Sequence, residues 1–209
     1  MNQPEPQGSG RAIVPAHSIA RLLTVLNRFQ PLTPGAEHFL KNHVSSLTVR
    51  KRKLLLKEGN CCEHVYFIVK GAVRGFTREG LKDITTWIVV ENEMVSSILS
   101  LNSQEPSLEN MQVLENTELL VISRDDLETL YAEQPEFNLV ARRLLQHYYA
   151  HAEKRAFIAR LTKAENKYRH FLLHHEPLAN RIPLKYIASY LGMTLETLSR
   201  VRKKFMAKV

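Results

Sequence analysis

Nothing in the 209 residues approaches the roughly 20-residue apolar run that a membrane-crossing helix needs. The opening Met1–Gly10 is polar and rich in Pro and Gly, without the apolar core of a secretory signal, and is expected to be a loose tail. Cysteine is nearly absent. Cys61 and Cys62 are adjacent and would bridge only with strain, so no disulfide framework is implied and a reducing cytoplasm is the expected compartment. Two thiols also fall short of the roughly four that an iron–sulfur cluster takes. A Gly-rich phosphate loop, a His-Glu-x-x-His pair and a nucleophile elbow are all missing, so we expect neither an enzyme nor a bound cofactor. Lys and Arg vanish between Asp83 and Ser123, where seven acidic residues stand (Asp83, Glu91, Glu93, Glu105, Glu109, Glu115 and Glu118). A phosphate buried there would meet backbone N–H groups and a negative field, with no cation.

Positive charge is concentrated instead at the C-terminal end. Of the net charge of +8, residues 161–209 carry +7, from ten Lys/Arg against Glu165, Glu176 and Glu196. A near-neutral body with a basic module fits a phosphate-binding end joined to something else. A membrane-surface role is the weaker reading, because the basic segment lacks a broad apolar face.

The most specific signal lies within 184–204. Ile187, Leu191 and Met193 are apolar at helical spacing, Ala188 is small enough for a close crossing, and Gly192 suits a sharp left-handed turn. Thr194 can cap a second helix, with Leu195, Leu198, Val201 and Phe205 on one side and Glu196, Ser199, Arg200 and Lys203 on the other. This is the pattern of a helix-turn-helix whose second helix enters the major groove of double-stranded DNA. Arg200 can fork to guanine O6 and N7, Glu196 can accept from the cytosine amino group, and Ser199 can serve either role. Lys185, Thr194, Thr197, Arg202, Lys203 and Lys204 are candidate backbone contacts, which set position and not sequence.

Upstream, amphipathic segments at 18–29 and about 34–44 read as helices. From about 46 the period alternates: strands are expected at 64–70, 72–78, 84–90, 111–114 and 119–123. Val49, Lys51 and Lys53 fall on one side of a further strand and Arg50 and Arg52 on the other, a basic run read as a solvated edge. Helix is expected again over 125–133, and Pro135 opens a long one to about 160. Phe137, Val140, Leu144, Tyr148, Ala152 and Ile158 step along it as a candidate homodimer seam, with His147, His151 and Arg155 intruding. Thr162–Glu165 has the form of a capping box. His147 and His151 lie one turn apart but lack a third ligand, and His174 and His175 suit a helix C-terminus better than a metal.

The expected fold class is α+β: an antiparallel jelly-roll domain, a long dimerisation helix and an all-α helix-turn-helix domain. The boundaries are a tail at 1–17, the strand-rich domain at 18–130, the helix at 131–160 and the basic module at 161–209.

That order resembles the Crp/Fnr family of bacterial transcription regulators. The likeness rests on Glu58-Gly59, on Val65–Gly71 and above all on Ile182–Arg202, and it covers about 30–205. Segment Leu195–Arg200 looks most like the recognition helix of the Fnr-type branch. The resemblance implies Glu196, Ser199 and Arg200 as the base-reading trio, a TTGA-like half-site, a homodimer joined along the central helix, and RNA polymerase as a partner. It also exposes departures. Ser96 and Ser97 stand where cyclic-nucleotide-binding members have Gly-Glu, and Ser107 and Leu108 where they have Arg-Ser/Thr. Tight binding of cyclic AMP or cyclic GMP is therefore not expected, and the effector stays open. The chain also stops at Val209, where many members continue into a wing, which puts more weight on the dimer and on Lys203, Lys204 and Lys208. A scaffolding or effector-binding module acting through protein contacts is the alternative.

Overall fold

The computed structural model describes residues 14–206, with backbone alone at 174–177. Helices α1 (Ala16–Phe29) and α2 (Pro34–His43) open the chain. The first begins inside the segment expected as tail, and residues 1–13 lie outside the described residues. Thr33 caps α2, accepting from the Ala36 N–H at 3.2 Å, with Pro34 at the first helical position.

Eight strands follow: β1 (Ser45–Val49), β2 (Leu54–Leu56), β3 (His64–Lys70), β4 (Ala72–Glu79), β5 (Lys82–Val90), β6 (Met94–Val95), β7 (Asn110–Val113) and β8 (Thr117–Ser123), with α3 (Ile98–Ser103) between β6 and β7. They form two four-stranded antiparallel sheets, β1-β8-β3-β6 and β2-β7-β4-β5. This is the jelly-roll of the expected fold. The basic run is not a strand: β1 ends at Val49, and Arg50–Lys53 form a turn.

Alternation along the strands decides what each face buries. Tyr66, Ile68, Val73, Met111, Val113, Leu119 and Val121 point between the sheets. Phe67, Val69, Leu120 and Ile122 point the other way, against α1, α2, α4 (Arg124–Glu133) and the start of α5 (Phe137–Arg160). Each fully buried Leu, Ile, Val or Phe contributes about 1.5–3 kcal/mol.

Helices α6 (Ala164–His175), α7 (Leu184–Tyr190) and α8 (Leu195–Met206), with a 3-10 turn at Glu176–Asn180, complete the chain. The first bonds of α6 reach the Lys163 carbonyl, so the helix starts one residue later than a cap at Thr162 would set it. The core of this C-terminal unit (Tyr168, Phe171, Leu178, Ile182, Ile187, Leu191, Leu198 and Val201) is continuous with Ala72, Ile88 and Leu114 of the second sheet. The C-terminal helices are thus seated on the jelly-roll, and no helix among the described residues is long and apolar enough to cross a membrane.

Candidate nucleic-acid interface and sensor site

Helix α7 ends as Gly192 enters the left-handed region at φ 61°. The Met193 N–H reaches the Ala188 carbonyl at 3.0 Å and the Gly192 N–H the Ser189 carbonyl at 3.1 Å, the paired bonds of a Schellman end. Lys167 Nζ adds a cation at that terminus, 3.1 Å from the Leu191 carbonyl. After the turn, Thr194 caps α8 by accepting from the Thr197 N–H at 3.2 Å. Leu198 and Val201 are buried and Phe205 is half-buried, so the helix is held by one side. Leu195 departs from the expected inner stripe and is exposed.

On the outward side Glu196, Arg200 and Lys203 are exposed and Ser199 is half-buried. The Glu196 carboxylate takes hydrogen bonds from its own backbone N–H and from Thr194, which hold its pKa below the usual range. Lys185 and Thr194 are exposed and Thr197 is half-buried beside them. Lys204 is exposed but pairs with Glu165 at 3.2 Å. Arg202, also a candidate backbone contact, is half-buried and engaged within the chain. Its guanidinium donates to the Ala179 carbonyl and to Asn180 Oδ1, both at 3.0 Å, and so ties α8 to the 3-10 turn. Lys208 and the side chains of His174 and His175 lie outside the described residues.

The candidate seam divides by face. Phe137 and Val140 are buried in the chain's own helical layer and Ile158 in the C-terminal core, so these three are not available to a second copy. Leu144 is half-buried beside the strands. Tyr148 is pinned inward: its hydroxyl accepts from the Met94 N–H at 2.7 Å and donates to Glu93 Oε2 at 2.9 Å. Ala152 alone of the six faces outward, in line with Leu145, Tyr149 and Ala156, all exposed. The sequence stripe marks the face that packs on the sensor, one residue away from the outward one. The rings of His147 and His151 lie with centroids 4.3 Å apart, tilted by 42°. Among the described residues no three His, Cys, Asp or Glu side chains gather around a common metal position.

In the sensor, the four positions set against the nucleotide-binding motif do not act together. Ser97 and Ser107 are buried and meet at 3.1 Å, with Ser107 also bonded to the Glu109 backbone. Ser96 reaches the His64 carbonyl at 3.2 Å and Leu108 is exposed. Beside Ser107, Glu109 is joined to Trp87 by an Nε1–H···Oε2 bond of 2.9 Å. Gly75 lies opposite Trp87 across the β4–β5 ladder, and a Cβ there would land inside the indole. Burial pushes the Glu109 carboxyl pKa up, against hydrogen bonds from Trp87 and Thr86. The sequence alone marks Glu109 only as a charge and does not single out Trp87. The available signal is a glycine and a tryptophan at facing positions of one hairpin. Beside α5 an apolar cavity of about 260 Å³ persists, lined by Trp87, Met94, Leu144, Tyr148 and Arg155 among others.

Two polar junctions seat the C-terminal unit. Arg74 is 2% exposed. It donates to Gln112 Oε1 at 3.0 Å, Thr85 Oγ1 at 3.1 Å and Asp83 Oδ2 at 2.7 Å. Its guanidinium lies 4.0 Å from the Phe76 ring centroid and 4.1 Å from that of Tyr186 on α7. Ser189 Oγ closes the contact, accepting from the Thr85 N–H and donating to the Asp83 carbonyl. Arg181 forks to Glu91, with Nη1 2.8 Å from Oε2, and also bonds Glu115. Burial raises the Glu91 pKa, but hydrogen bonds from Arg181 and the Gly71 N–H prevail and hold it at about 2.

Residues 46–134 match the family model of the cyclic nucleotide-binding domain. No curated protein matches the sequence. Among solved structures, FixK2 from Bradyrhizobium japonicum is 22% identical, with 79% of this chain and 85% of that one covered at a TM-score of 0.69. CLP of Xanthomonas campestris, described as a c-di-GMP-responsive global regulator, is 18% identical over 84% of this chain and 93% of its own, with a TM-score of 0.66. A mutant of CooA from Carboxydothermus hydrogenoformans is 17% identical over 90% and 84%, also at 0.66. The chain therefore shares the fold of these proteins, a jelly-roll of the cyclic nucleotide-binding type followed by a long helix and a helix-turn-helix.

Proposed function

We propose that this chain is a transcription regulator that binds a palindromic DNA site as a homodimer and reads it with α8. The observation that carries the reading is the division of that helix: Leu198 and Val201 are buried, while Glu196, Ser199, Arg200 and Lys203 line the opposite side. A helix so anchored can enter a groove without unfolding its own core. Two copies suit the reading, since paired half-sites multiply specificity. Leu145, Tyr149, Ala152 and Ala156 recur at spacings of four, three and four, the pattern of a helical seam, and they join the copies along α5.

The sensor domain does not take a cyclic nucleotide in this reading. Residues 83–123 supply no cation to a phosphate there, the Glu109 carboxyl bonded to Trp87 adds negative charge, and Arg155 of α5, the nearby cation, already acts on that carboxyl. The cavity beside α5 is apolar and suits an uncharged effector.

Selection from a random duplex pool tests the function and the half-site spacing together. An enriched inverted repeat is the expected product. Arg200→Glu is expected to weaken binding to that repeat by about 100-fold or more while leaving the dimer intact, because a bidentate guanine contact is replaced by repulsion. Binding that shows no sequence preference and no salt dependence would instead favour a scaffold working through protein contacts.

A further inference from the structure

Of the four positions set against the nucleotide-binding motif, only Ser96 reaches the wall of the apolar cavity; Ser97, Ser107 and Leu108 do not. Most of the wall belongs to the helical layer and to the sheet face beneath it: Leu26 of α1, Leu40 of α2, Leu127 of α4, and Phe67 and Leu120 of the first sheet. The cavity also reaches Val95 and Leu101, which belong to the separate core between the sheets. Neighbouring residues of a strand point to opposite faces. Met94 faces the helical layer and Val95 the space between the sheets, and both line the cavity. The space therefore passes around the edge of β6, the two-residue strand at the end of the first sheet. It is bent, with one arm on each side of that edge.

The interior polar groups of the wall are already engaged. The Tyr148 hydroxyl holds the Met94 N–H and Glu93, Ser96 donates to the His64 carbonyl, and Arg155 acts on Glu109. The wall comes to the surface between α3 and α4, which are joined where Arg124 Nε donates to the Leu101 carbonyl at 3.2 Å. There Ile98 is 48% exposed, Asn102 and Glu128 are exposed, and Arg124 is half-buried. The rim thus offers one amide, one cation and one carboxylate: hydrogen-bonding groups of both kinds with no net charge. Arg124 is moreover 3.8 Å from Asp125. Volume sets the size of an occupant. An apolar cavity of about 150 Å³ takes the six carbons of benzene. The 260 Å³ here has room for about ten carbons.

The geometry points to this cavity as the seat of an unbranched alkyl or acyl chain of about ten carbons that ends in an uncharged hydrogen-bonding head, a fatty alcohol, amide or ester. The inference rests on the reading of the cavity as an effector site and names what that site takes. The chain lies around the β6 edge and the head stays at the α3–α4 rim with Asn102, Arg124 and Glu128. A flexible chain follows the bend, whereas a rigid ring system of equal carbon count fills one arm and leaves the other empty. An ionised head is the poorer match, because the rim carries no net charge and the interior has no open cation to receive it.

Trp87 lines the cavity and is the only tryptophan of the chain, so its fluorescence reports occupancy directly. The full-length protein is titrated with n-hexanol, n-octanol, n-decanol and n-tetradecanol, with calorimetry alongside. Affinity is expected to rise about three- to fourfold for each methylene, the gain from burying one CH₂, and to level off near ten carbons. Adamantanol, with ten carbons in a rigid cage, and decanoate at neutral pH should each bind at least about tenfold more weakly than n-decanol. Ala141→Phe adds a ring to the wall from α5 and should move the plateau to shorter chains, with unfolding still cooperative. The series on the parent decides the matter whether or not that variant folds. No saturable binding of any alcohol, an affinity that keeps climbing to fourteen carbons, or adamantanol bound as well as n-decanol would overturn the inference. Failure of the DNA-reading assignment shows differently, as a chain that binds n-decanol but enriches no repeat from the duplex pool.

Discussion

The two faces of β4 carry opposite solutions to one problem, how to fill the space beside a strand. On the inner face Gly75 makes room and Trp87 takes it, hydrogen-bonded to a carboxyl that burial has raised in pKa. On the outer face the neighbouring Arg74 is as buried as any core leucine, but its donors are met by Gln112, Thr85 and Asp83 and its plane by Phe76 and Tyr186. The inner face packs an indole against a buried carboxyl. The outer face binds the helix-turn-helix unit to the sensor. A single strand therefore separates the Trp87–Glu109 pair from the surface that bears the C-terminal helices, and each side can be broken alone.

The largest effect is expected on the outer face. Arg74→Ala strips the interface of its central group, leaves Gln112 and Thr85 without a donor, and opens a gap beside Tyr186. Removing one partner of a buried ion pair costs about 3–5 kcal/mol. Asp83 keeps Arg78 at 3.2 Å and is partly hydrated, so the lower end, about 3 kcal/mol, is expected here. Chemical denaturation measures the loss. Limited proteolysis between α5 and α6 should also speed up as the C-terminal unit loosens. A loss of stability with no change in cleavage there would show that Arg74 serves the sheet and not the junction.

Trp87→Ala comes next. The indole is half-buried, so the loss should fall near the low end of the about 3–5 kcal/mol typical of such truncations. The sharper result concerns ligand binding. Emptying the space should not by itself create cyclic-nucleotide affinity, because the phosphate would still face the Glu109 carboxyl, which Arg155 offsets only in part. Adding Ser107→Arg and Glu109→Ala to Trp87→Ala supplies the charge and removes the opposing one. Calorimetry is expected to find binding in the triple variant alone. Tight binding by the parent chain would refute the sealed-site reading outright.

These residues also mark where the sequence stops being informative. The helix-turn-helix is legible because its determinants are local: Gly192 for the turn, Thr194 for the cap and a period of three to four for Leu198 and Val201. Strand β3 is equally plain as a short apolar, β-branched and aromatic run ended by Gly71, whereas β2, β6 and α3 are too short to show a period. Arg74 and Trp87 are invisible for another reason. A lone arginine in a strand reads as solvent-facing until Tyr186, more than a hundred residues on, is seen to cover it. The candidate dimer seam lies in between. Helical spacing finds a real apolar stripe on α5, and most of that stripe packs within the chain itself. The basic turn is misjudged because four consecutive charges look alike on a strand edge and on a closed turn, and only the bonds to Val113 and Asn116 tell them apart.

The smallest expected effect tests the inner face by pH. Burial raises the Glu109 pKa in the folded chain above its ordinary 4.5. The folded state then holds this proton more tightly than the unfolded one. The stability linked to it is complete below about pH 4.5 and is lost as pH climbs through the folded value. At neutral pH the ionised group is a liability, offset in part by Trp87, Thr86 and the field of Arg155. Glu109→Gln keeps an acceptor for the indole N–H and carries no charge. Its Tm should match the parent's in acid and exceed it progressively toward neutral pH. A difference that stays flat with pH, or a variant less stable at pH 7, would mean that Arg155 already compensates the carboxylate. The inner face would then be a satisfied ion pair and not a closed, proton-holding pocket.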